Sequence, residues 1–208
     1  MKSSVALFVL LSAACSAGSA FAPALKPGSF DGWHTAPGGH WHWRGDVLVG
    51  TSPATEPRHG VLISDASYSD FEARLEFRVL TGDSGFYFRV AEEGGRVAVH
   101  GFQAEVDTTL ETGGLYETGG RAWVVKPDAE RLRRVYQPGA WTSLRVRAVG
   151  ADIDVWINGL LTASLRDDPG RAEGLFGLQL HGGQVMHVEF RAFEVLDLSA
   201  SARRQRRP

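Results

Sequence analysis

Alternation of apolar and polar side chains at every second position is the feature that most constrains the fold of this chain. From Phe71 to Val79 the odd residues are apolar, and charged residues lie between them. Leu144 to Ala148 repeats the pattern with arginines between apolar residues. A period of two places successive side chains on opposite faces of a β-strand. Because no long segment has the 3.6-residue period of a helix, we predict an all-β fold.

Turn signals separate the predicted strands. Asn158-Gly159 lies between two apolar runs and predicts a tight hairpin, since this dipeptide supplies two positive-φ residues. The last strand loses its alternation near Ala192-Phe193, which predicts a β-bulge. Many short strands without intervening helices predict a two-sheet antiparallel sandwich of the jelly-roll kind. Glycine and proline positions predict a long loop excursion around 110–140, with one or two helical turns within 128–134.

The first 22 residues are predicted to be an export signal. Lys2 gives a positive start, residues 5–14 form an apolar run, and Ala20-Phe21-Ala22 resembles a cleavage site. The apolar run is too short to span a bilayer, so no transmembrane helix is predicted. A lipoprotein signal acylated at Cys15 is the alternative. Both interpretations predict a periplasmic or secreted protein whose exported domain contains no cysteine.

Beyond the signal, the chain divides into three predicted parts. Residues 23–29 are interpreted as a linker, residues 30–198 as the sandwich, and residues 199–208 as a basic disordered tail. The chain has 22 basic and 24 acidic residues and a net charge of −2. It therefore lacks the basic field that attracts nucleic acid. The oligomeric state cannot be read from the sequence.

Three further alternating segments carry the functional prediction. Residues 85–89, 101–107 and 177–181 each place apolar side chains on one face and polar side chains on the other. The polar set consists of Tyr87, Arg89, Gln103, Glu105, Asp107, Gln179 and His181. A one-residue slip would bury every polar group, so the alternation fixes both faces. If these strands are neighbours, the shared surface suits binding of sugar hydroxyls or general acid–base chemistry.

Simpler interpretations exist for the same residues. Arg89 and Glu105 also fit a cross-strand ion pair, and His181 also fits a loop-entry residue before two glycines. The tryptophans and histidines within 33–43 suit sugar stacking or, as we favour, a core strand with solvated imidazoles. No cysteine or clear carboxylate ligand lies near these histidines, so no metal site is predicted.

Eight short motifs follow one another along the predicted sandwich. They are Phe30-Asp31-Gly32-Trp33, Ser69-Asp70-Phe71-Glu72, Asp83-Ser84-Gly85-Phe86-Tyr87-Phe88-Arg89, Gly101-Phe102-Gln103-Ala104-Glu105-Val106-Asp107, Thr112-Gly113-Gly114-Leu115-Tyr116, Trp156-Ile157-Asn158-Gly159, Gly177-Leu178-Gln179-Leu180-His181-Gly182 and Val188-Glu189-Phe190-Arg191. In this order, over roughly residues 28–198, they resemble the 3-keto-disaccharide hydrolase domain family, formerly domain of unknown function 1080. Asp83, Thr142 and Ala192 stand where that family usually has Asn. Such departures alter a turn or mark a member that binds sugar without cleaving it.

The resemblance implies a concanavalin A-like jelly roll that hydrolyses glycosides whose sugar is oxidised at C3, by elimination and then hydration. Under it we assign Glu105 and His181 as acid or base and Arg89 as the cation facing a developing oxyanion. The assigned substrate contacts are Gln103, Asp107, Gln179, Tyr116, Arg191 and Tyr87. We predict a carbohydrate substrate and no cofactor, although this broad fold sometimes carries calcium. The alternatives are a non-catalytic, lectin-like module and a structural envelope domain.

Overall fold

The computed structural model describes residues 20–199. Most of the predicted signal, including Cys15, and all but the first residue of the predicted tail lie outside these described residues. The strands are β1 Ala22–Pro23, β2 Trp33–Thr35, β3 His40–Arg44, β4 Val47–Ser52, β5 Gly60–Tyr68, β6 Phe71–Thr81, β7 Asp83–Glu92, β8 Val99–Asp107, β9 Leu115–Thr118, β10 Ala122–Val125, β11 Thr142–Val149, β12 Asp152–Ile157, β13 Leu160–Leu165, β14 Gly174–Leu180 and β15 Met186–Asp197. One short helix, α1, covers Ala129–Leu132.

Two antiparallel sheets form the sandwich. The first has the strand order β13-β12-β11-β6-β15-β4-β3, with β1 also paired to β15. The second has the order β10-β9-β8-β7-β14-β5-β2. The two-sheet jelly-roll prediction is confirmed. Within residues 20–199, no helix is both long enough and apolar enough to cross a membrane.

The core lies between the sheets and is rich in aromatic rings. In β6 the odd residues from Phe71 to Val79 are buried, as their alternation predicts. Phe176 of β14 is fully buried, and its ring centroid lies 4.1 Å from that of Tyr68, 4.8 Å from Phe71 and 5.3 Å from Phe86. Because burial of apolar area is the main favourable term in folding, this cluster holds the two sheets together.

Several local predictions are confirmed. Asn158 and Gly159 have φ values of 47° and 82° and connect β12 to β13. Ala192 has a φ of 50° at the shifted register between β15 and β6, which is the predicted bulge. Trp33 and Trp41 are buried in the core, whereas His40 and His42 are exposed.

The prediction of a linker over residues 23–29 is wrong. Ala22 and Pro23 pair with the last strand as β1, and Leu25 is buried in the core. The indole of Trp33 donates a hydrogen bond to the carbonyl oxygen of Ala24 at 2.8 Å. These contacts hold the start of the described chain against the sandwich.

The region 110–140 is more regular than the predicted loop excursion. Strands β9 and β10 form a hairpin that extends the second sheet beyond β8. The hairpin is followed by α1, where the carboxylate of Asp128 accepts hydrogen bonds from the first free backbone amides. The predicted helical turn is therefore confirmed, and the glycines of this region lie in turns.

Candidate functional site

A cleft of about 410 Å³ opens on the outer face of the second sheet. Its floor comes from β7, β8 and β14, and the β9–β10 hairpin forms one wall. The lining residues are His59, Asp83, Tyr87, Val97, Gln103, Glu105, Asp107, Glu111, Tyr116, Thr118, Gly119, Trp123, Gln179 and His181. The cleft thus brings together seven of the nine residues predicted from the sequence.

Strand pairing explains how the floor is assembled. In β7 and β8 the cross-strand pairs on this face are Asp83 with Asp107, Gly85 with Glu105, and Tyr87 with Gln103. A Cβ atom at Gly85 would lie only 2.2 Å from Nε2 of Gln103. The missing side chain of Gly85 therefore leaves the space that the Gln103 amide fills.

Two carboxyl groups face each other at one end of the floor. Glu105 is 7% exposed, and burial together with the charge of Asp83 raises its pKa well above the usual range. Burial also raises the pKa of Asp83, which is within hydrogen-bonding reach of Glu105. The buried Oδ1 atom of Asp83 has no hydrogen-bond partner among residues 20–199. Since two ionised carboxylates would repel each other here, the pair favours the protonated form of Glu105.

Amide side chains connect Glu105 to the other end of the floor. Nε2 of Gln103 lies 3.3 Å from the Glu105 carboxyl and 3.2 Å from Oε1 of Gln179. Nε2 of Gln179 then lies 2.8 Å from the hydroxyl of Tyr87 and 3.0 Å from Nδ1 of His59. Burial raises the pKa of Tyr87, so its hydroxyl stays neutral.

Two histidines close this end of the cleft. His59 precedes β5 and His181 follows β14, and their ring centroids are 4.2 Å apart. Burial, followed by the charges of His181 and Arg96, lowers the pKa of His59 to about 4. Nδ1 of His181 lies 3.1 Å from Nε2 of Gln184 and 2.8 Å from the carbonyl oxygen of Gly182, and the shorter contact requires a proton on Nδ1, since a carbonyl oxygen can only accept. A base that takes a substrate proton at His181 would therefore use the other ring nitrogen, Nε2.

Asp107 lines the cleft but is committed to the protein itself. Its carboxylate accepts hydrogen bonds from the backbone amide of Thr109 at 2.9 Å and from the hydroxyl of Thr112 at 2.6 Å. The hydroxyl of Tyr136 donates to its backbone carbonyl oxygen. Asp107 thus fixes the turn after β8 and adds negative charge near Glu105, instead of presenting free acceptors to a sugar.

An aromatic wall borders the cleft. The rings of Tyr116 and Trp123 meet edge to face with centroids 5.4 Å apart, and both side chains are half-buried. The ammonium group of Lys126 lies 4.5 Å from the centre of the Trp123 ring and pairs with Glu111 at 2.6 Å. Half-exposed aromatic faces beside polar groups suit the apolar faces of sugar rings.

The prediction that Arg89 faces the site is wrong. Arg89 has a φ of 50° at a bulge where the β7–β8 register shifts, so the simple alternation ends before this residue. Its guanidinium is buried and donates to the backbone oxygens of Ser69 at 2.7 Å and Gly150 at 2.9 Å. Arg89 therefore links the turn between β5 and β6 to the turn between β11 and β12.

Arg191 also lies away from the cleft. It is on β15 of the first sheet, pairs with Glu76 at 2.6 Å and lies 4.1 Å from the centre of the Trp141 ring. The predicted substrate contact for this residue is wrong, because the two sheets present opposite outer faces. Among residues 20–199, no group of three or more His, Cys, Asp or Glu side chains is placed to hold a metal ion.

Sequence reasoning missed seven of the fourteen lining residues, including Asp83, Trp123 and His59. Asp83 departs from the usual Asn of the family, and strand alternation alone places it on the same face as Tyr87. Trp123 lies in the β9–β10 hairpin, where the neighbouring glycines predict turns and conceal the strand pattern. His59 lies outside any alternating segment and reaches the cleft only because β5 pairs with β14. That pairing joins distant parts of the chain, so the local sequence carries no signal for it.

The buried Glu105 predicts a dependence of stability on pH. A raised folded-state pKa means that the folded protein binds more protons than the unfolded chain above the ordinary value of 4.5. We therefore expect the free energy of unfolding to fall as the pH rises above 4.5. In Glu105→Gln this decline should flatten, as urea unfolding at pH 5 and pH 8 would test. Parallel pH curves for the two proteins would contradict the assignment.

Known proteins resemble this chain in sequence and in fold. The sequence model of the 3-keto-alpha-glucoside-1,2-lyase-like domain matches residues 24–196. No curated protein sequence matches the chain. The carbohydrate-binding module CBM66 from Bacillus subtilis is 19% identical with a TM-score of 0.60, covering 80% of this chain and 96% of that one.

Two further solved structures are similar. A Bacillus subtilis protein of unknown function with a galectin-like fold is 13% identical, with a TM-score of 0.61 and coverage of 81% of this chain and 90% of that one. The exoplasmic domain of VIP36, bound to Ca²⁺ and Man3GlcNAc, is 14% identical, with a TM-score of 0.56 and coverage of 84% and 88%. At such identities these likenesses establish the fold alone, and they agree with the jelly-roll prediction.

Proposed function

Because the chain belongs to the 3-keto-alpha-glucoside-1,2-lyase-like domain family, we propose that its cleft cleaves glycosides whose sugar carries a ketone at C3. The observation that carries this proposal is Glu105, a buried carboxyl group beside Asp83 that lines the cleft and whose pKa lies well above its usual range. A carboxyl group with a raised pKa is suited to act as a general acid.

The reaction follows from the chemistry of the ketone. A C3 carbonyl acidifies the proton on C2, so a base removes that proton and leaves an enolate with its charge on the C3 oxygen. The enolate re-forms the ketone as C1 and C2 become double-bonded, and the bond from C1 to the glycosidic oxygen breaks. The departing oxygen takes a proton from the acid. Water then adds its hydroxyl to C1, and a proton returns to C2.

We propose that two groups on either side of β7, Glu105 of β8 and His181 just after β14, carry out these steps. Glu105 gives its proton to the departing oxygen and, as a carboxylate, then takes a proton from the attacking water. His181 removes the C2 proton through Nε2 and later returns it. Gln103 holds the Glu105 carboxyl at 3.3 Å and contacts Gln179 at 3.2 Å. Arg89 supplies no charge to the enolate, since backbone oxygens hold its guanidinium.

The aromatic wall is the proposed contact for the leaving group. Trp123 and Tyr116 present ring faces beside Lys126 and Glu111, whose ion pair is exposed. A second sugar ring can stack on an aromatic face while its hydroxyls reach charged groups. Disaccharides are therefore the proposed substrates. With the export signal predicted from the sequence, we further propose that the reaction takes place in the periplasm or outside the cell.

Incubation with a chromogenic 3-keto-glucoside tests the proposal. We expect release of the aglycone from the 3-keto compound and none from the matched glucoside, because only the ketone acidifies the C2 proton. Equal release from both compounds would contradict the elimination mechanism. Binding of the 3-keto-glucoside by calorimetry without any release would instead support the lectin-like alternative, which the open cleft and its aromatic wall also suit.

A further inference from the structure

We propose that His59 is a further substrate-contacting residue, a neutral imidazole that donates a hydrogen bond from Nε2 to the C3 oxygen of the sugar. This inference rests on the proposed function and supplies what Arg89 does not, namely a donor for the enolate oxygen. A chain of hydrogen bonds runs from Glu105 through the amides of Gln103 and Gln179 to His59. The contact with Glu105 fixes which group donates and which accepts in each of these bonds.

The direction of the chain begins at Gln103. Its Oε1 accepts a hydrogen bond from the hydroxyl of Thr118 at 3.2 Å, and its Nε2 faces the carboxyl of Glu105 at 3.3 Å. Because the acidic proton of Glu105 is directed to Asp83, Glu105 can only accept from Gln103, and a flipped amide would place two acceptors against each other. Nε2 of Gln103 therefore also donates to Oε1 of Gln179, at 3.2 Å. This leaves the NH₂ group of Gln179 facing the histidine.

The next bond sets the tautomer of His59. Nε2 of Gln179 lies 3.0 Å from Nδ1 of His59, and an amide nitrogen can only donate. Nδ1 must therefore accept, so the single proton of the neutral ring sits on Nε2. No group among residues 20–199 forms a hydrogen bond with this Nε2, and His59 lines the cleft. The ring thus offers a free donor to a bound ligand.

The surroundings keep this ring uncharged. His59 is 8% exposed, and burial with the nearby His181 and Arg96 lowers its pKa to about 4. Gln179, which contacts Nδ1 of the ring, carries no charge. A preorganised neutral donor stabilises a developing oxyanion without first giving up water or a counter-ion. In this proposal His59 therefore donates a hydrogen bond to the sugar, and His181 accepts the C2 proton.

A structural role for His59 makes different predictions. The ring lies close to that of His181 with an interplanar angle of 50°, and the backbone amide of His59 donates to the carbonyl oxygen of Arg96 at 2.8 Å. If the ring only fills space, its tautomer and its response to ligand would not matter. Gln179→Glu separates the two roles, because it keeps the side-chain shape and the contact with Gln103. A carboxylate there accepts from His59, so the proton moves to Nδ1 or the ring becomes charged.

The experiment is ¹⁵N NMR of the histidine rings in the full chain. In the wild-type protein we expect the Nε2–H tautomer of His59 from pH 5 to pH 8, and a shift of its signal when a 3-keto-glucoside binds. In Gln179→Glu we expect the Nδ1–H tautomer or the imidazolium form, with kcat/KM lowered by at least about 10-fold. His42→Gln, an exposed histidine on the edge of the other sheet, should match the wild type.

The outcomes separate this inference from the proposed function. A wild-type Nδ1–H tautomer, or a His59 signal that ignores bound ligand, would overturn the inference even if the protein releases aglycone. Unchanged kcat/KM in Gln179→Glu with a confirmed change of tautomer would also overturn it. A ligand-induced shift of the His59 Nε2–H signal without turnover would support the hydrogen bond and count against the proposed reaction alone.

Discussion

Turnover of a 3-keto-glucoside is expected to fall by about 10²–10⁴-fold in Glu105→Gln, while binding of the sugar persists. The amide copies the shape of the protonated carboxyl and can donate to Asp83, so the fold and the cleft are retained. It has no acidic proton for the departing oxygen, and it cannot activate water afterwards. Single-turnover kinetics with calorimetric titration would measure both effects.

The control for this variant is Glu130→Gln, on the exposed surface of α1, which should retain wild-type turnover. In addition, Asp83→Asn removes a negative charge beside Glu105 and lowers the pKa of that carboxyl. The alkaline limb of the kcat/KM profile should therefore move to lower pH. Turnover at the wild-type rate in Glu105→Gln would contradict the assignment of Glu105 as the acid.

Phe176→Ala is expected to lower the free energy of unfolding by about 3–5 kcal/mol. The ring is fully buried and packs against aromatic rings from both sheets, including Phe71 of β6. Alanine leaves a cavity between the sheets. Backbone pairing holds the two sheets in place, so this cavity cannot collapse. Urea unfolding followed by intrinsic fluorescence would measure the loss.

Leu161→Ala provides the comparison, because the Leu161 side chain is 41% exposed on β13. Its loss of stability should stay within about 0.5 kcal/mol. A Phe176→Ala protein that is as stable as Leu161→Ala would mean that the aromatic cluster does not hold the sheets together.

Most of the floor of the cleft could be predicted because strand parity is a local property. Gln103, Glu105 and Gln179 lie within regular alternating segments, and the structure brings them together. Arg89 was misplaced for a physical reason, since a bulge with a φ of 50° reverses the side to which its side chain points. Nothing in the apolar–polar pattern before Arg89 signals that bulge.

Cross-strand partners limited the rest of the prediction. His59 acquires its role from Gln179, which lies on another strand and far along the chain. The approach of Asp83 to Glu105 likewise depends on a pairing register that composition does not encode. By contrast, the Asn158-Gly159 turn was predictable, because its two backbone conformations belong to the residues themselves.

The position of the β9–β10 hairpin has an evolutionary consequence. These strands end the second sheet, so β10 has one neighbour, whereas the strands that carry Glu105 and Gln179 have neighbours on both sides. A longer, shorter or differently decorated hairpin would reshape the entrance without disturbing the proton-carrying groups. Under the proposed function, selection for new leaving groups can therefore act on one peripheral segment while the residues proposed to break the bond stay unchanged.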